Sequence, residues 1–232
     1  MEKKKKRYNA ILLVVLIFSI LVLHIDTAVV GAKTYKPGFT YRKLTPAVKK
    51  QIRGKSFPVS GSKISFSSLR IVTVKYYDFK GKTRTGKLIV NKKIARRTVK
   101  IFSELYKIRY RIQRIKLVDC YHADDNKSME ANNTSAFNYR VVEGTNKLSK
   151  HGMGMAIDIN PRINPCIRGG KLEPANGRVY RTRNVKKCKG KYKKYMIHKN
   201  DKVYRIFKKY GFSWGGDWKT LKDYQHFEYT GK

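Results

Sequence analysis

The sequence has few cysteines, and their number is odd. Cys120, Cys166 and Cys188 are the only three among 232 residues, and no two of them are spaced as C-x-x-C. This pattern argues against a cysteine zinc site and against a disulfide framework. One pair, such as Cys166 with Cys188, remains open for an exported chain, although buried free thiols are the more common outcome.

Long apolar runs are also scarce. Residues 10–23 form a run of 14 in which Ser19 is the only polar residue, and five cations precede it at positions 3–7. A membrane-spanning helix needs about 20 apolar residues, so this length suits a signal peptide. Small residues at 30–32 offer a cleavage site, whereas an extension of the run beyond Leu23 would make an uncleaved transmembrane anchor. Both alternatives predict export, with residues 1–32 as the signal peptide or membrane anchor.

Negative charge is scarce as well. The chain has 15 acidic against 54 basic residues, which gives a net charge of +39. Such an excess favours polyanionic partners, which outside a cell would be anionic cell-wall polymers or lipid headgroups. Charge alone does not separate these from nucleic acid. Because the cations are scattered along the whole chain without a recognition motif, no nucleic-acid partner is expected.

The remaining 200 or so residues suffice for one domain with a sizeable core. Apolar periodicity predicts an α+β domain over 63–232, preceded by a basic N-terminal arm over 33–62. The predicted elements are a short helix near 46–53, a hairpin of strands 69–79 and 86–90, a helix capped by Asn91 and ending near 108, a strand at 115–121, a long polar loop at 122–137, a weakly patterned excursion at 166–199, and a helix from Asp201 to Gly211.

A histidine and an aspartate seven positions apart form the most informative pair. Glycines follow His151, and Asp158 lies in an alternating run that predicts a strand with Ala156, Asp158 and Asn160 on one face. The glycines allow the chain to turn His151 back over that strand. Imidazole and carboxylate ligands suit zinc, which in catalytic sites takes three protein ligands and leaves the fourth position for water.

The C-terminal stretch offers the third ligand. His226 lies in a short run with Phe227 and Tyr229, which predicts a strand that returns beside Asp158. His151, Asp158 and His226 would then meet on a small antiparallel sheet that helices flank.

Four motifs in this order carry a family resemblance. The motif Ser149-x-His151-x-x-Gly154-x-Ala156-x-Asp158, together with Asp223-x-x-His226, resembles the zinc peptidases of the D-alanyl-D-alanine carboxypeptidase and L-alanyl-D-glutamate endopeptidase family, which includes endolysin peptidase domains. The stretches 135–140 (SAFNYR) and 214–218 (WGGDW) resemble further signatures of that family. Each motif alone is weak, but four in one order are specific.

The resemblance implies a role for each residue of the site. Zinc would be bound by His151, Asp158 and His226, Asp223 would be the general acid/base, Arg140 would steady the substrate carbonyl and oxyanion, and Ser149 and Asp217 would contact the substrate. Asp223 replaces the glutamate found in part of the family, which indicates a subfamily. A surface salt bridge is the alternative for Arg140, and structural hydrogen bonding is the alternative for Ser149 and Asp217.

The implied function is a monomeric zinc metallopeptidase of the bacterial cell envelope that hydrolyses peptidoglycan stem peptides. Carboxypeptidase and L-alanyl-D-glutamate endopeptidase activities both stay open, because the sequence does not show whether the cleft is closed at one end. A non-catalytic, zinc-retaining domain that binds the wall or a partner is the alternative, against which Asp223 and Arg140 argue. A secreted cationic nucleic-acid binder is a third hypothesis.

Overall fold

A computed structural model describes residues 31–142 and 144–231. The predicted signal peptide or anchor lies almost entirely outside these residues. Within the described ranges, every helix is too short or too polar to cross a membrane.

The largest sheet has four antiparallel strands, joined side to side in chain order. They are β1 (Lys33–Lys36), β2 (Phe39–Lys43), β3 (Leu69–Tyr77) and β4 (Thr83–Asn91). The hairpin of β3 and β4 confirms the prediction. Helix α1 (Pro46–Ile52) is confirmed too, with Pro46 in its first turn and the Thr45 hydroxyl accepting from Val48 N at 3.3 Å. Strands β1 and β2 come from the predicted N-terminal arm and extend the sheet.

Helix α2 (Ala95–Lys107) packs on this sheet and buries Val99, Phe102 and Leu105. The predicted cap was wrong. Asn91 ends β4 and its side chain accepts from Lys93 N, so the helix begins one turn later than the sequence suggested.

The predicted strand at 115–121 was also wrong. The strand there, β5, covers only Arg114–Ile115 and pairs in parallel with β6 (Asn133–Thr134), while Val118–Tyr121 form a 3₁₀ turn. The turn points Asp119 inward, where its carboxylate accepts from Ser56 N at 3.2 Å and from Ser56 Oγ at 2.9 Å. A short helix, α3 (Asp125–Glu130), occupies the predicted polar loop.

Two small sheets form the C-terminal part. Their strands are β7 (Ala156–Asp158), β8 (Cys166–Arg168), β9 (Lys171–Glu173), β10 (Phe212–Trp214), β11 (Leu221–Asp223) and β12 (His226–Tyr229). One sheet has the order β10-β12-β7 and the other β11-β8-β9, both antiparallel. Helix α4 (Lys202–Lys209) begins where predicted, with Asp201 accepting from Tyr204 N at 2.7 Å.

The main core joins α2 and α4 to the sheets. The Phe207 ring of α4 stacks on Phe227 of β12 with centroids 3.9 Å apart. All three cysteines are free, and Cys166 and Cys188 are buried while Cys120 is exposed. The predicted α+β fold with a small antiparallel sheet is therefore confirmed.

Candidate metal and catalytic site

A tight turn over residues 149–154 presents His151. The Ser149 hydroxyl accepts from Gly152 N at 2.9 Å, and Ser149 O accepts from Met153 N. Gly154 has φ +66°, and a β carbon there would lie 2.8 Å from Asn91 N. A glycine is therefore required for this turn, both for its left-handed backbone and for its close approach to β4.

A hydrogen bond at Nδ1 of His151 determines which ring nitrogen has a lone pair available for a metal ion. His151 is buried, and its Nδ1 lies 2.5 Å from Ala136 O. Since a carbonyl only accepts, Nδ1 carries the proton and the lone pair is on Nε2. That Nε2 lies 3.1 Å from His226 Nδ1 and 3.2 Å from Asp158 Oδ2.

Strand pairing brings the other two side chains together. In the antiparallel pair of β12 and β7, His226 is directly opposite Asp158, and His226 Nδ1 lies 3.2 Å from Asp158 Oδ1. One donor atom from each of His151, Asp158 and His226 can be chosen so that all lie within 4.8 Å of one another. Ligands about 2.0–2.1 Å from a tetrahedral ion are about 3.3 Å apart, so these separations fit a single metal ion.

Glu228 supports the cluster, although the sequence reasoning missed it. Its Oε2 lies 3.2 Å from His226 Nε2, the nitrogen that faces away from the cluster. A carboxylate behind a metal-binding imidazole fixes the ring and raises its basicity. The available signal was the i, i+2 spacing, which places Glu228 on the same strand face as His226.

The pKa shifts of Asp158 and His226 indicate strong attraction between the carboxylate and the imidazole rings of the cluster. Burial alone would raise the pKa of Asp158, but the charges and hydrogen bonds of His151 and His226 outweigh it and hold that pKa well below its usual range. Burial would lower the pKa of His226, but hydrogen bonds to Asp158 and Glu228 outweigh it and raise the pKa to about 10. The pocket therefore strongly favours a positive charge between these groups, which a divalent cation would supply.

Asp223 lies beside this cluster, at the end of β11. Its Oδ1 is buried without a hydrogen-bond partner among the described residues. Burial raises the pKa of Asp223 to about 6, with the nearby charges of His226 and Asp158 acting in opposite directions. A carboxyl group with a pKa near the working pH is suited to accept and return a proton.

The WGGDW motif forms the wall next to Asp223. A β carbon on Gly215 would lie 2.6 Å from Asp223 O, 2.9 Å from Asp223 Cβ and 3.3 Å from His226 Cβ. Gly215 therefore lets the chain pack directly against both residues. The Trp218 ring lies beside His226 at a centroid distance of 5.2 Å, whereas Trp214 is buried in the core.

The other three predicted residues contact protein groups. The Arg140 guanidinium is partly exposed and forms an ion pair with Asp125, while its carbonyl accepts from Ser149 N. The Ser149 hydroxyl holds the turn described above. Asp217 is exposed and accepts from Tyr204 OH at 3.1 Å. The structure thus brings Asp223 to the three candidate ligands, and the predicted roles of Arg140, Ser149 and Asp217 stay predictions.

The family model of D-alanyl-D-alanine carboxypeptidase matches residues 143–229. The family resemblance is confirmed for this segment. The matched segment contains the candidate metal ligands, Asp223 and the WGGDW motif, and it begins just after Arg140. No curated protein and no solved structure gives a significant match to the chain.

These observations indicate a peptidase with a candidate metal site. The family match over residues 143–229 supports a peptidase, and the His/Asp/His cluster offers a donor set for a metal ion. All three residues of the cluster lie within the matched segment: His151 on the turn before β7, Asp158 on β7 and His226 on β12.

Proposed function

We propose that this protein is a zinc-dependent peptidase that hydrolyses a peptide bond in peptidoglycan stem peptides. The observation that carries the proposal is the triangle of His151, Asp158 and His226, with Asp223 beside it and the buried Oδ1 of that residue unpartnered among the described residues. Two imidazoles and one carboxylate are a donor set typical of catalytic zinc, which keeps an open position. The match to a peptidase family supports the reaction class.

Each residue of the cluster has a defined task in this proposal. Zinc, when bound, supplies Lewis acidity that polarises a carbonyl and makes water a nucleophile near neutral pH. Ionised Asp223 takes the proton of the attacking water and then passes it to the nitrogen of the leaving amine as the peptide bond breaks. Glu228 keeps the His226 ring turned so that Nδ1 faces Asp158.

Arg140, Ser149 and Asp217 are proposed to position the substrate. Arg140 carries a permanent charge, which suits it to stabilise a developing oxyanion. Ser149 accepts one hydrogen bond within its turn and keeps its hydroxyl proton for donation to a peptide carbonyl. Exposed Asp217 is available to an amide of the substrate.

Both specific activities remain within the proposal. A D-alanyl-D-alanine carboxypeptidase must recognise a terminal carboxylate, whereas an L-alanyl-D-glutamate endopeptidase needs a cleft open at both ends. We further propose an extracytoplasmic location in a bacterial cell envelope, with residues 1–32 as the signal peptide or anchor and the catalytic unit as a monomer.

The test is digestion of purified peptidoglycan by the full-length protein, with and without a chelator, followed by fragment masses. The parent should release fragments only with zinc, and Asp223→Asn should lower the rate by about 10²–10⁴-fold while retaining its zinc. Asp124→Asn is the matched control, since Asp124 caps α3 and asparagine caps equally well. Absence of release with bound zinc would favour the non-catalytic, wall-binding alternative.

A further inference from the structure

A surface pocket between α2 and α4 is lined by five cations and by no acidic side chain. Arg96, Arg97 and Lys100 come from α2, and Lys208 and Lys209 come from the end of α4. The volume of this cationic pocket is about 570 Å³. That size falls in the range of sites that hold an extended small ligand rather than a single ion.

Most of this charge has no counter-charge nearby. Among the described residues, the five cations form a single ion pair, between Lys209 and Glu104 at 2.9 Å. Arg96 and Lys208 have no acidic partner there. Arg96 and Lys100 are four residues apart on α2, a spacing at which like charges destabilise a helix. The first turn of α2 has no acidic residue and no side-chain cap, while the negative end of the α4 dipole lies at Lys208 and Lys209, so the positive field of the pocket comes from its side chains. An anionic ligand would relieve this repulsion.

Each aromatic ring of the cationic pocket has a cation over one of its faces. The Arg97 guanidinium lies 5.0 Å from the centre of the Tyr229 ring, and Lys209 lies 5.4 Å from the centre of the Tyr210 ring. Proteins that bind single-stranded nucleic acid offer free aromatic faces on which bases stack. The pocket is also concave, which suits a flexible chain better than a flat lipid surface. These features favour a polyanion that has phosphates but no bases.

The cationic pocket and the candidate catalytic site lie on opposite faces of strand β12. Along β12, His226 and Glu228 point to the metal cluster, whereas Phe227 points to the opposite face and stacks on Phe207 of α4. Tyr229, which lines the pocket, is two residues after Phe227 and so shares that face. Three residues of strand separate it from His226 by about 10 Å. A ligand in the pocket would leave the metal cluster open.

We propose that the cationic pocket binds a flexible, phosphate-bearing polymer without bases, and that it does so on the sheet face opposite the metal cluster. The net charge alone suggested an attraction to anionic wall polymers. The proposal assigns that attraction to the five cationic side chains of the pocket. The binding does not require peptide cleavage, so it can fail or succeed independently of the proposed peptidase function.

The test uses inorganic polyphosphate as the probe and the full-length protein. The triple variant Arg96→Gln, Lys100→Gln, Lys208→Gln should weaken binding by about tenfold or more and lower the slope of log affinity against log salt by about 2. The matched control is Lys186→Gln, Lys187→Gln, Lys189→Gln, which removes the same charge from exposed positions elsewhere and should bind as the parent does. The pocket variant should also melt no lower than the parent, because it loses like-charge repulsion.

Three results would overturn the proposal. Equal weakening by both triple variants would mean that the whole surface attracts the polymer. Tighter binding to a single-stranded oligonucleotide or to anionic vesicles, abolished by the pocket variant, would assign the pocket to another partner. Inhibition of short-peptide cleavage by polyphosphate with zinc kept in excess over the polymer, equal in the parent and the pocket variant, would place its site at the metal cluster. If the parent cleaves no peptide, the binding comparison still stands and only the peptidase proposal fails.

Discussion

Asp158 lies directly opposite His226 in the antiparallel pair of β7 and β12, and its Oδ1 is 3.2 Å from His226 Nδ1. These residues are 68 positions apart in sequence. The candidate metal site therefore exists only when this strand pair has formed. Metal binding should accordingly be coupled to the folding of the C-terminal part.

His226→Gln should abolish stoichiometric zinc binding, since two remaining ligands hold zinc far more weakly than three. The measurement is zinc content after gel filtration, with about one equivalent expected for the parent. His122→Gln is the matched control, because His122 is exposed and lies outside the cluster. Full zinc content in His226→Gln would remove His226 from the ligand set.

Glu228→Gln should weaken zinc binding by about 10- to 100-fold, because the His226 ring loses the negative charge behind it. Competition with a chromogenic chelator measures this affinity. Glu130→Gln, at an exposed glutamate, should bind zinc as the parent does. An unchanged affinity in Glu228→Gln would show that the negative charge of Glu228 does not strengthen the binding of zinc by His226.

The turn between β3 and β4 should lose stability in acid. The hydrogen bond from Arg84 holds the pKa of Asp78 below its usual value, and the Asp78 carboxylate also accepts from Lys80 N and Lys82 N at 2.9 Å. Because the folded pKa is depressed, the stabilisation is complete above the unfolded pKa of about 4 and is lost as the pH falls through the folded value.

Asp78→Asn should therefore lower the melting temperature at pH 7 by roughly 2–4 °C and by progressively less below pH 4. Thermal denaturation of both proteins across this range measures the difference. The Glu130→Gln variant serves again as the control. A gap between Asp78→Asn and the parent that is the same at all pH values would contradict the role of the Asp78 charge.

The native protein should show one fast-reacting thiol and two slow ones. Cys120 is exposed, whereas Cys166 and Cys188 are buried, and burial raises the pKa of the Cys166 thiol. The thiolate is the reactive form, so both effects protect the buried pair. Titration with a chromogenic disulfide before and after denaturation should count one and then three thiols. A total below three without reductant would reveal a disulfide.

The sequence was sufficient to predict that the three candidate ligands lie close together, because period-two alternation indicates which residues share a strand face and glycine spacing indicates a turn. His151, Asp158 and His226 meet as predicted. The same alternation also implied Glu228, two residues after His226, but only the fold shows that its carboxylate reaches the ring.

The errors arose where distant contacts override local pattern. The strand predicted at 115–121 gives way to a 3₁₀ turn because Asp119 binds Ser56, 63 residues earlier. The burial of the Asp223 carboxyl depends on the pairing of β11 with β8 and on the close approach of Gly215. Neither the contact of Asp119 with Ser56 nor the pairing of β11 with β8 can be predicted from the residues next to them in the sequence.

Because side chains alternate between the two faces of β12, the number of residues in the segment before this strand determines which side chains lie on which face. Four consecutive residues there serve opposite sides of one sheet: His226 and Glu228 face the metal cluster, and Phe227 and Tyr229 face α4 and the cationic pocket. Deleting one residue between 219 and 225 would exchange the two sets. A phenylalanine would then enter the metal cluster, and His226 and Glu228 would enter the aromatic core. The candidate metal site, the cationic pocket and the core would therefore be disrupted together.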